Sequence, residues 1–184
     1  MTRLKPLSPE SATGKTKDLY GVIKGRLGVV PNMMQTMGNS PAFLQGYLSL
    51  GDALGGGRLG SRIGELIALT VAEANACNYC LSAHSYIGAN LIKMDGSTIE
   101  AARSAESTDP KIEAILKFAK ILVNKKGQAA DDDVAALKEA GVTEGEIGEI
   151  VGYVALNILT NYFNTVAKTE IDFPVVRAGL LAAN

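Results

Sequence analysis

The sequence of 184 residues is poor in several residue types on which whole classes of protein depend. It has no tryptophan, one histidine and two cysteines, and 18 lysines and arginines stand against 19 aspartates and glutamates. Two cysteines cannot build the multiple disulfides of a small secreted scaffold. The even charge balance excludes the basic excess that is typical of nucleic-acid-binding surfaces and polybasic membrane anchors. We therefore expect neither nucleic acid nor a membrane among the partners of this chain.

Long apolar runs are also missing. The longest, 150–159, is interrupted by Asn157 and is shorter than the ~20 residues that cross a bilayer. The first residues lack the apolar core of a signal peptide. A content of 47% hydrophobic and 20% charged residues is typical of a folded globular chain. We expect a cytoplasmic protein, and a cysteine pair in that reducing compartment is more often catalytic, redox-active or metal-binding than structural.

Residues that favour helices fill most of the sequence. Alanine, leucine, glutamate and lysine are frequent, and the alternating β-branched runs of strands are missing. The pattern predicts an all-α fold in a single domain, residues 1–184, with a core of apolar helices at 61–94 and 143–168. The region 61–94 is expected to contain two helices, the second of which covers 78–94. The tail, 171–184, is expected to be partly extended.

Several helix ends carry sequence signals. Ser40 and Asp109 each precede a proline, which is favoured at the first helical position. Thr143 begins a capping box. Asp95 stands in an Asp-Gly pair that is expected to end one helix, and Ser97 is expected to cap the next.

Both cysteines and the only histidine fall within eight residues, as Cys77, Cys80 and His84. On a helix of ~100° per residue the three side chains point within about 60° of one another. His84 lies one turn after Cys80, where helical side chains meet, so its imidazole can take the thiol proton. We assign the nucleophilic role to Cys80 because a positioned base can activate it. The spacing lets Cys77 close a disulfide with an oxidised Cys80.

A catalytic base needs a group that orients it, and Glu65 is the candidate. In one straight helix Glu65 would stand ~18 Å from Cys77. Asn75 offers a bend, because asparagine tolerates the left-handed conformation that ends helices. Two antiparallel helices joined there would bring Glu65 and His84 to similar heights.

The same residues allow other interpretations. A Cys-x2-Cys-x3-His cluster with Glu65 as a fourth ligand could hold zinc, which would make this a structural or hydrolytic zinc protein. Buried cysteines can also be inert packing. A third alternative is a redox-sensing oligomer without turnover. We read the acidic run 131–133 as helix-start residues rather than as metal ligands, and we expect no metal and no cofactor.

The spacing Glu65-x11-Cys77-x2-Cys80-x3-His84 resembles the core of the AhpD-like alkylhydroperoxidases, in the carboxymuconolactone decarboxylase superfamily. The resemblance extends over about residues 28–172 and is closest to the branch of peroxidase-related proteins. Weaker similarities lie at 30–33, 40–44, 112–119 and 157–164.

This resemblance implies thiol-dependent hydroperoxide reduction. It implies that Cys80 is the peroxidatic cysteine, that Cys77 resolves it to a disulfide, and that Glu65 and His84 form a proton relay. Tyr79 stands where the best-known members have a further histidine, as in the peroxidase-related branch. The lactone decarboxylases of the superfamily lack the cysteine pair, which disfavours that activity here.

The resemblance also implies a helical AhpD-like fold that assembles as a homo-oligomer, a trimer or hexamer. The implied partners are a hydroperoxide substrate and an external dithiol reductant of lipoyl or thioredoxin type.

Two further patterns lie outside the cluster. Asn157, Asn161 and Asn164 form one polar face of an apolar helix, which could line the site but which we interpret as hydrogen bonds between helices. The methionines at 33–37 are expected to pack in the core or an interface rather than along a substrate channel.

Overall fold

A computed structural model describes residues 2–179 of the chain. Over these residues the chain forms nine α-helices and no strand, which confirms the predicted all-α class. The helices are α1 (Gly14–Leu27), α2 (Asn32–Met37), α3 (Pro41–Gly55), α4 (Gly60–Ala74), α5 (Asn78–Asn90), α6 (Gly96–Ser104), α7 (Pro110–Asn124), α8 (Asp131–Glu139) and α9 (Glu144–Ala167). None of the described helices combines the length and the hydropathy that crossing a membrane requires. The single domain over residues 1–184 stays a prediction.

Helix α4 lies at the centre of the fold. Its Leu66, Ile67, Leu69 and Val71 are at most 3% exposed, and burying each such side chain contributes about 1.5–3 kcal/mol. A helix that is apolar on nearly all sides must be surrounded by other elements. Helices α5, α6, α7 and α9 accordingly pack against α4, which places Glu65, a residue of α4, inside the bundle.

The helix starts follow local capping chemistry. The side chains of Ser40, Asp109 and Thr143 accept hydrogen bonds from backbone N–H groups in the first turns of α3, α7 and α9, which confirms these predicted caps. The predicted cap of α6 is wrong. Asp95 rather than Ser97 holds the start of α6, because its carboxylate accepts from the Thr98 N–H at 2.7 Å.

Helix α5 ends at Asn90, four residues earlier than the predicted helix over 78–94. The Ile92 N–H donates to the Ile87 carbonyl, five residues back instead of four, and Lys93 has a φ of 61°. The regular hydrogen bonding of α5, from each N–H to the carbonyl four residues back, therefore ends before Met94.

The chain reverses direction between α4 and α5 through a tight turn. The N–H of Cys77 donates to the Ala72 carbonyl at 2.9 Å, and the N–H of Ala76 donates to the Glu73 carbonyl at 3.0 Å. This pair of bonds needs a left-handed residue between them. Ala76 takes that conformation, with a φ of 51°, whereas Asn75 has a φ of −92°. The predicted bend is confirmed, but its left-handed residue is the alanine.

Beyond α9 the chain crosses α5 without regular secondary structure. We call residues 170–179 the C-terminal strap. The N–H groups of Val176 and Ala178 donate to Ser82 Oγ and Asn78 Oδ1, both at 2.9 Å. The strap thereby covers the helix that carries the cysteines. The predicted partly extended tail also includes residues 180–184, which lie outside the described residues.

Candidate active site

The two cysteines occupy the start of α5 and are joined as a disulfide. Cys77 is the N-cap residue, and its Sγ accepts from the Cys80 N–H at 3.3 Å. Their Cα atoms are 5.3 Å apart, the separation that one turn at a helix start provides. Cys77 is 4% exposed and Cys80 is 2% exposed. The two sulfurs are therefore close enough to form a bond and are almost completely shielded from bulk water.

Glu65 and His84 meet across the bend. Glu65 Oε1 lies 2.7 Å from His84 Nδ1, and the two side chains are 13% and 20% exposed. Burial by itself lowers the pKa of His84, but the charge of Glu65 and its hydrogen bond outweigh burial, so the pKa is raised above its usual value. Because Nδ1 is held by Glu65, Nε2 is the nitrogen left to exchange a proton.

A cavity of about 340 Å³ lies beside this pair. Cys80 and His84 line the cavity, whereas Cys77 and Glu65 do not. A ligand in the cavity would therefore meet Cys80 sulfur and the histidine ring, with the other cysteine and the glutamate behind them.

Aromatic and sulfur-containing side chains form much of the cavity wall. Tyr79, Tyr86 and Phe173 contribute to it, and the Phe173 ring stands 5.9 Å from Tyr79 and 5.7 Å from Tyr86. Met33 and Met37 are buried in the core and Met34 packs against it, which confirms the predicted core packing. The structure adds that Met33 and Met34 also border the cavity.

Tyr79 holds three parts of the site together. Its hydroxyl donates to Asp172 Oδ1 at 2.9 Å and accepts from the Met33 N–H at 3.1 Å. Burial, followed by the negative charge of Asp172, raises the pKa of Tyr79 far above its usual value. The phenol is therefore a neutral hydrogen-bonding group that fastens α5 to α2 and to the strap. Its effect on the chemistry stays a prediction.

Tyr47 was not singled out from the sequence, yet it also lines the cavity. Burial and the nearby charge of Glu65 raise its pKa to about 12. It comes from α3, which no sequence signal connects to the cysteine cluster.

The three asparagines of α9 divide into different roles. Asn161 Oδ1 accepts a hydrogen bond from Asn75 Nδ2 at 2.9 Å. This bond joins α9 to the bend after α4, in agreement with the predicted hydrogen bonding between helices. Asn157 donates only to the Tyr153 carbonyl of its own helix at 2.9 Å. Asn164 lines the cavity and donates to Cys80 Sγ at 3.3 Å. The periodicity of the three residues pointed to this face, but not to which residue reaches the cysteine.

A zinc site finds no support in residues 2–179. They contain no group of three or more His, Cys, Asp or Glu side chains placed to hold one metal ion. Glu65 reaches His84 rather than the sulfurs, and the sulfurs are bonded to each other.

Comparison with known proteins agrees with the resemblance in the sequence. The helices of residues 2–179 have an AhpD-like fold. The model of the carboxymuconolactone decarboxylase family matches residues 41–121, the part of the chain with Glu65, both cysteines and His84. Over these residues, which are less than half of the chain, the sequence is similar to that family. No curated protein matches it.

Several solved structures share the fold. A peroxidase-related protein with an AhpD core from Ralstonia eutropha JMP134 has a TM-score of 0.82 at 22% identity, over 92% of both chains. A peroxidase-related protein from Silicibacter sp. TM1040 has a TM-score of 0.79 at 21% identity, over 91% of this chain and 92% of its own. The debrominase Bmp8 in complex with 2,3,4-tribromopyrrole has a TM-score of 0.79 at 21% identity, over 94% of this chain and 92% of its own.

Proposed function

We propose that this chain is a cytoplasmic, thiol-dependent hydroperoxide reductase. The observation that carries the proposal is the position of Cys80, which joins the disulfide on one side and lines the cavity beside His84 on the other. The family resemblance and the peroxidase-related names of similar structures support it.

The reaction uses the reduced pair. His84, held by Glu65, takes the thiol proton of Cys80, and the thiolate attacks the hydroxyl oxygen of ROOH. The O–O bond breaks, Cys80 becomes a sulfenic acid, and the departing RO⁻ takes the proton back from His84 to leave as ROH. Cys77 then condenses with the sulfenic acid, forming the disulfide and releasing water. An external dithiol reduces the disulfide and is itself oxidised to a disulfide.

The cavity favours an uncharged organic hydroperoxide. At about 340 Å³ it exceeds the needs of hydrogen peroxide and lies in the usual range of small-molecule sites. Leu27, Val29, Ile87 and Leu91 add apolar surface to the aromatic wall. A tert-alkyl or aryl-alkyl hydroperoxide would bury its apolar group there.

The reductant is expected to be a narrow dithiol. Both sulfurs are at most 4% exposed, so a flat protein surface of thioredoxin type would not reach them without movement of the strap. A lipoyl-type arm could enter through the cavity and attack Cys80.

The chain is also proposed to act as a homo-oligomer, a trimer or hexamer. An exposed apolar stripe runs along α9, where Val151 is 48%, Leu159 38%, Tyr162 61% and Val166 59% exposed. These residues are eight, three and four positions apart, which places them on one face of the helix. An exposed apolar face of this kind suits burial against a second copy of the chain.

The deciding experiment mixes reduced protein with cumene hydroperoxide and follows thiol loss and alcohol formation. Cys80→Ser is expected to abolish hydroperoxide consumption, because the attacking sulfur is gone. Cys77→Ser is expected to complete one oxidation, to a sulfenic acid that a dimedone probe captures, and then to stop. Consumption by the Cys80→Ser variant at the wild-type rate would refute the proposal. Oxidation of the wild-type pair that no dithiol reverses would indicate a redox sensor instead.

Reductive dehalogenation of an aromatic compound is a second candidate, favoured by the aromatic wall beside Cys80 and His84. Two thiols would supply the electrons, so that aryl bromide becomes arene and HBr while the cysteines form the disulfide. Bromide release from tribromopyrrole by reduced protein would support this reaction. Absence of release from a protein that consumes hydroperoxide would exclude it.

A further inference from the structure

Asn164 is the one buried amide of α9 that touches a cysteine in the described residues. It is 4% exposed, lines the cavity, and lies within hydrogen-bond distance of two sulfurs. Its Nδ2 is 3.3 Å from Cys80 Sγ and 3.2 Å from Met33 Sδ. Because both sulfurs are acceptors, their positions fix the amide orientation, with the NH2 group towards the sulfurs.

The other end of the same amide is left without a partner. Asn164 Oδ1 is buried and accepts no hydrogen bond from any described residue. A buried carbonyl oxygen without a donor destabilises the folded state, and native structures rarely leave one unpaired without a reason. A donor supplied by a ligand in the adjoining cavity would satisfy it.

We propose that Asn164 positions both reactants of the hydroperoxide reaction. Its Nδ2–H group stabilises the Cys80 thiolate, and its Oδ1 accepts a hydrogen bond from the O–H group of the bound hydroperoxide. The inference rests on the proposed function. Asn164 thereby gains a role in binding, in addition to the roles proposed above for the two cysteines, Glu65 and His84.

This arrangement fits each stage of the reaction. One rigid amide touches the sulfur and the oxygen to be attacked, so the two are held side by side. When Cys80 attacks, the S–O bond forms, the O–O bond breaks, and the alkoxide leaves with a proton from His84. The new sulfenic acid keeps the hydrogen of the attacked oxygen. Its O–H group can continue to donate a hydrogen bond to Asn164 Oδ1 until Cys77 attacks the sulfur and the oxygen leaves as water.

The first experiment isolates the thiolate contact. In a Cys77→Ser background, the rate of Cys80 alkylation by iodoacetamide is measured against pH. Asn164→Leu, close in shape, removes donor and acceptor, whereas Asn164→Asp keeps an acceptor and loses the donor. Both are expected to move the alkylation midpoint to higher pH, because the thiolate loses its N–H donor.

The second experiment isolates the substrate contact. The same variants react with cumene hydroperoxide, and each rate is divided by the thiolate fraction known from alkylation. Asn164→Leu is expected to lose a further factor of about ten, the worth of one hydrogen bond of about 1.4 kcal/mol. Asn164→Asp, which retains an acceptor, is expected to lose less than Asn164→Leu.

Asn157→Leu is the matched control. Asn157 is 5% exposed, lies on the same face of α9 and bonds only within its helix. It should lower stability without moving the alkylation midpoint or the corrected rate. If Asn164→Leu behaved in the same way, the inference would be overturned. If the wild type alkylates normally but no hydroperoxide oxidises it, the proposed function fails and the substrate half of the inference fails with it.

Discussion

Replacement of Glu65 by glutamine tests the Glu65–His84 pair most directly. The change keeps the shape of the side chain and removes its charge. In the native protein the carboxylate lies 2.7 Å from Nδ1, and the partners are only 13% and 20% exposed. A hydrogen bond to a charged group contributes about 1.5–3 kcal/mol. We expect this loss in the free energy of unfolding at pH 6, or about 3–12 °C in Tm for a chain of this size.

The loss should depend on pH in a defined direction. The folded-state pKa of His84 is raised above 6.5, the value of an unperturbed histidine, because the charge and hydrogen bond of Glu65 outweigh burial. The extra stability is therefore fully present below about 6.5. It fades as pH rises through the folded-state value. The difference between wild type and E65Q should shrink between pH 6 and pH 9.

The assay is urea denaturation of the oxidised proteins at both pH values, with the disulfide intact throughout. Glu139→Gln, an exposed position on α8, serves as the control and should change stability little at either pH. In the reduced protein, E65Q should also slow Cys80 oxidation and move the histidine limb of its pH profile to lower pH. The pairing would be refuted if wild type and E65Q differed in stability by the same amount at pH 6 and pH 9 and had the same pH profile of Cys80 oxidation.

Two further substitutions probe the surroundings of the site. Tyr79→Phe removes the bonds to Asp172 and from the Met33 N–H. It should therefore lower the free energy of unfolding by about 1–3 kcal/mol and raise KM more than it lowers kcat; a collapse of kcat with unchanged stability would make Tyr79 a chemical participant. Ala76→Gly should stabilise the protein by about 0.5–1 kcal/mol, because glycine adopts the φ of 51° without strain. A decrease in its denaturation midpoint, like that expected for Ala74→Gly within α4, would contradict this.

Local chemistry made much of the fold predictable. The caps at Ser40, Asp109 and Thr143 depend on residues within one turn, so the chain around them is enough to identify them. The error at Ser97 has the same origin. Two neighbouring residues can both cap a helix, and only the geometry shows that Asp95 reaches the free N–H group.

The position of the left-handed residue was less predictable. Propensity favours asparagine, but the bond from the Cys77 N–H to the Ala72 carbonyl demands the conformation one residue later. Tertiary packing of α5 against α4 sets where that bond forms. An intrinsic preference worth about 1 kcal/mol is overridden by such packing.

Sequence alone determined the helical class and the cluster of Cys77, Cys80 and His84, because helical periodicity and spacing along one helix are local properties. It also suggested Glu65 as the partner, since one bend relates the two helices. The tertiary structure decided that Asn164 reaches Cys80 and that Tyr47 and the strap enclose the cavity. These residues come from α9, α3 and the C-terminal strap, far from the cysteines along the chain. Which face of each element meets the site depends on packing across the whole core, and no local pattern encodes it.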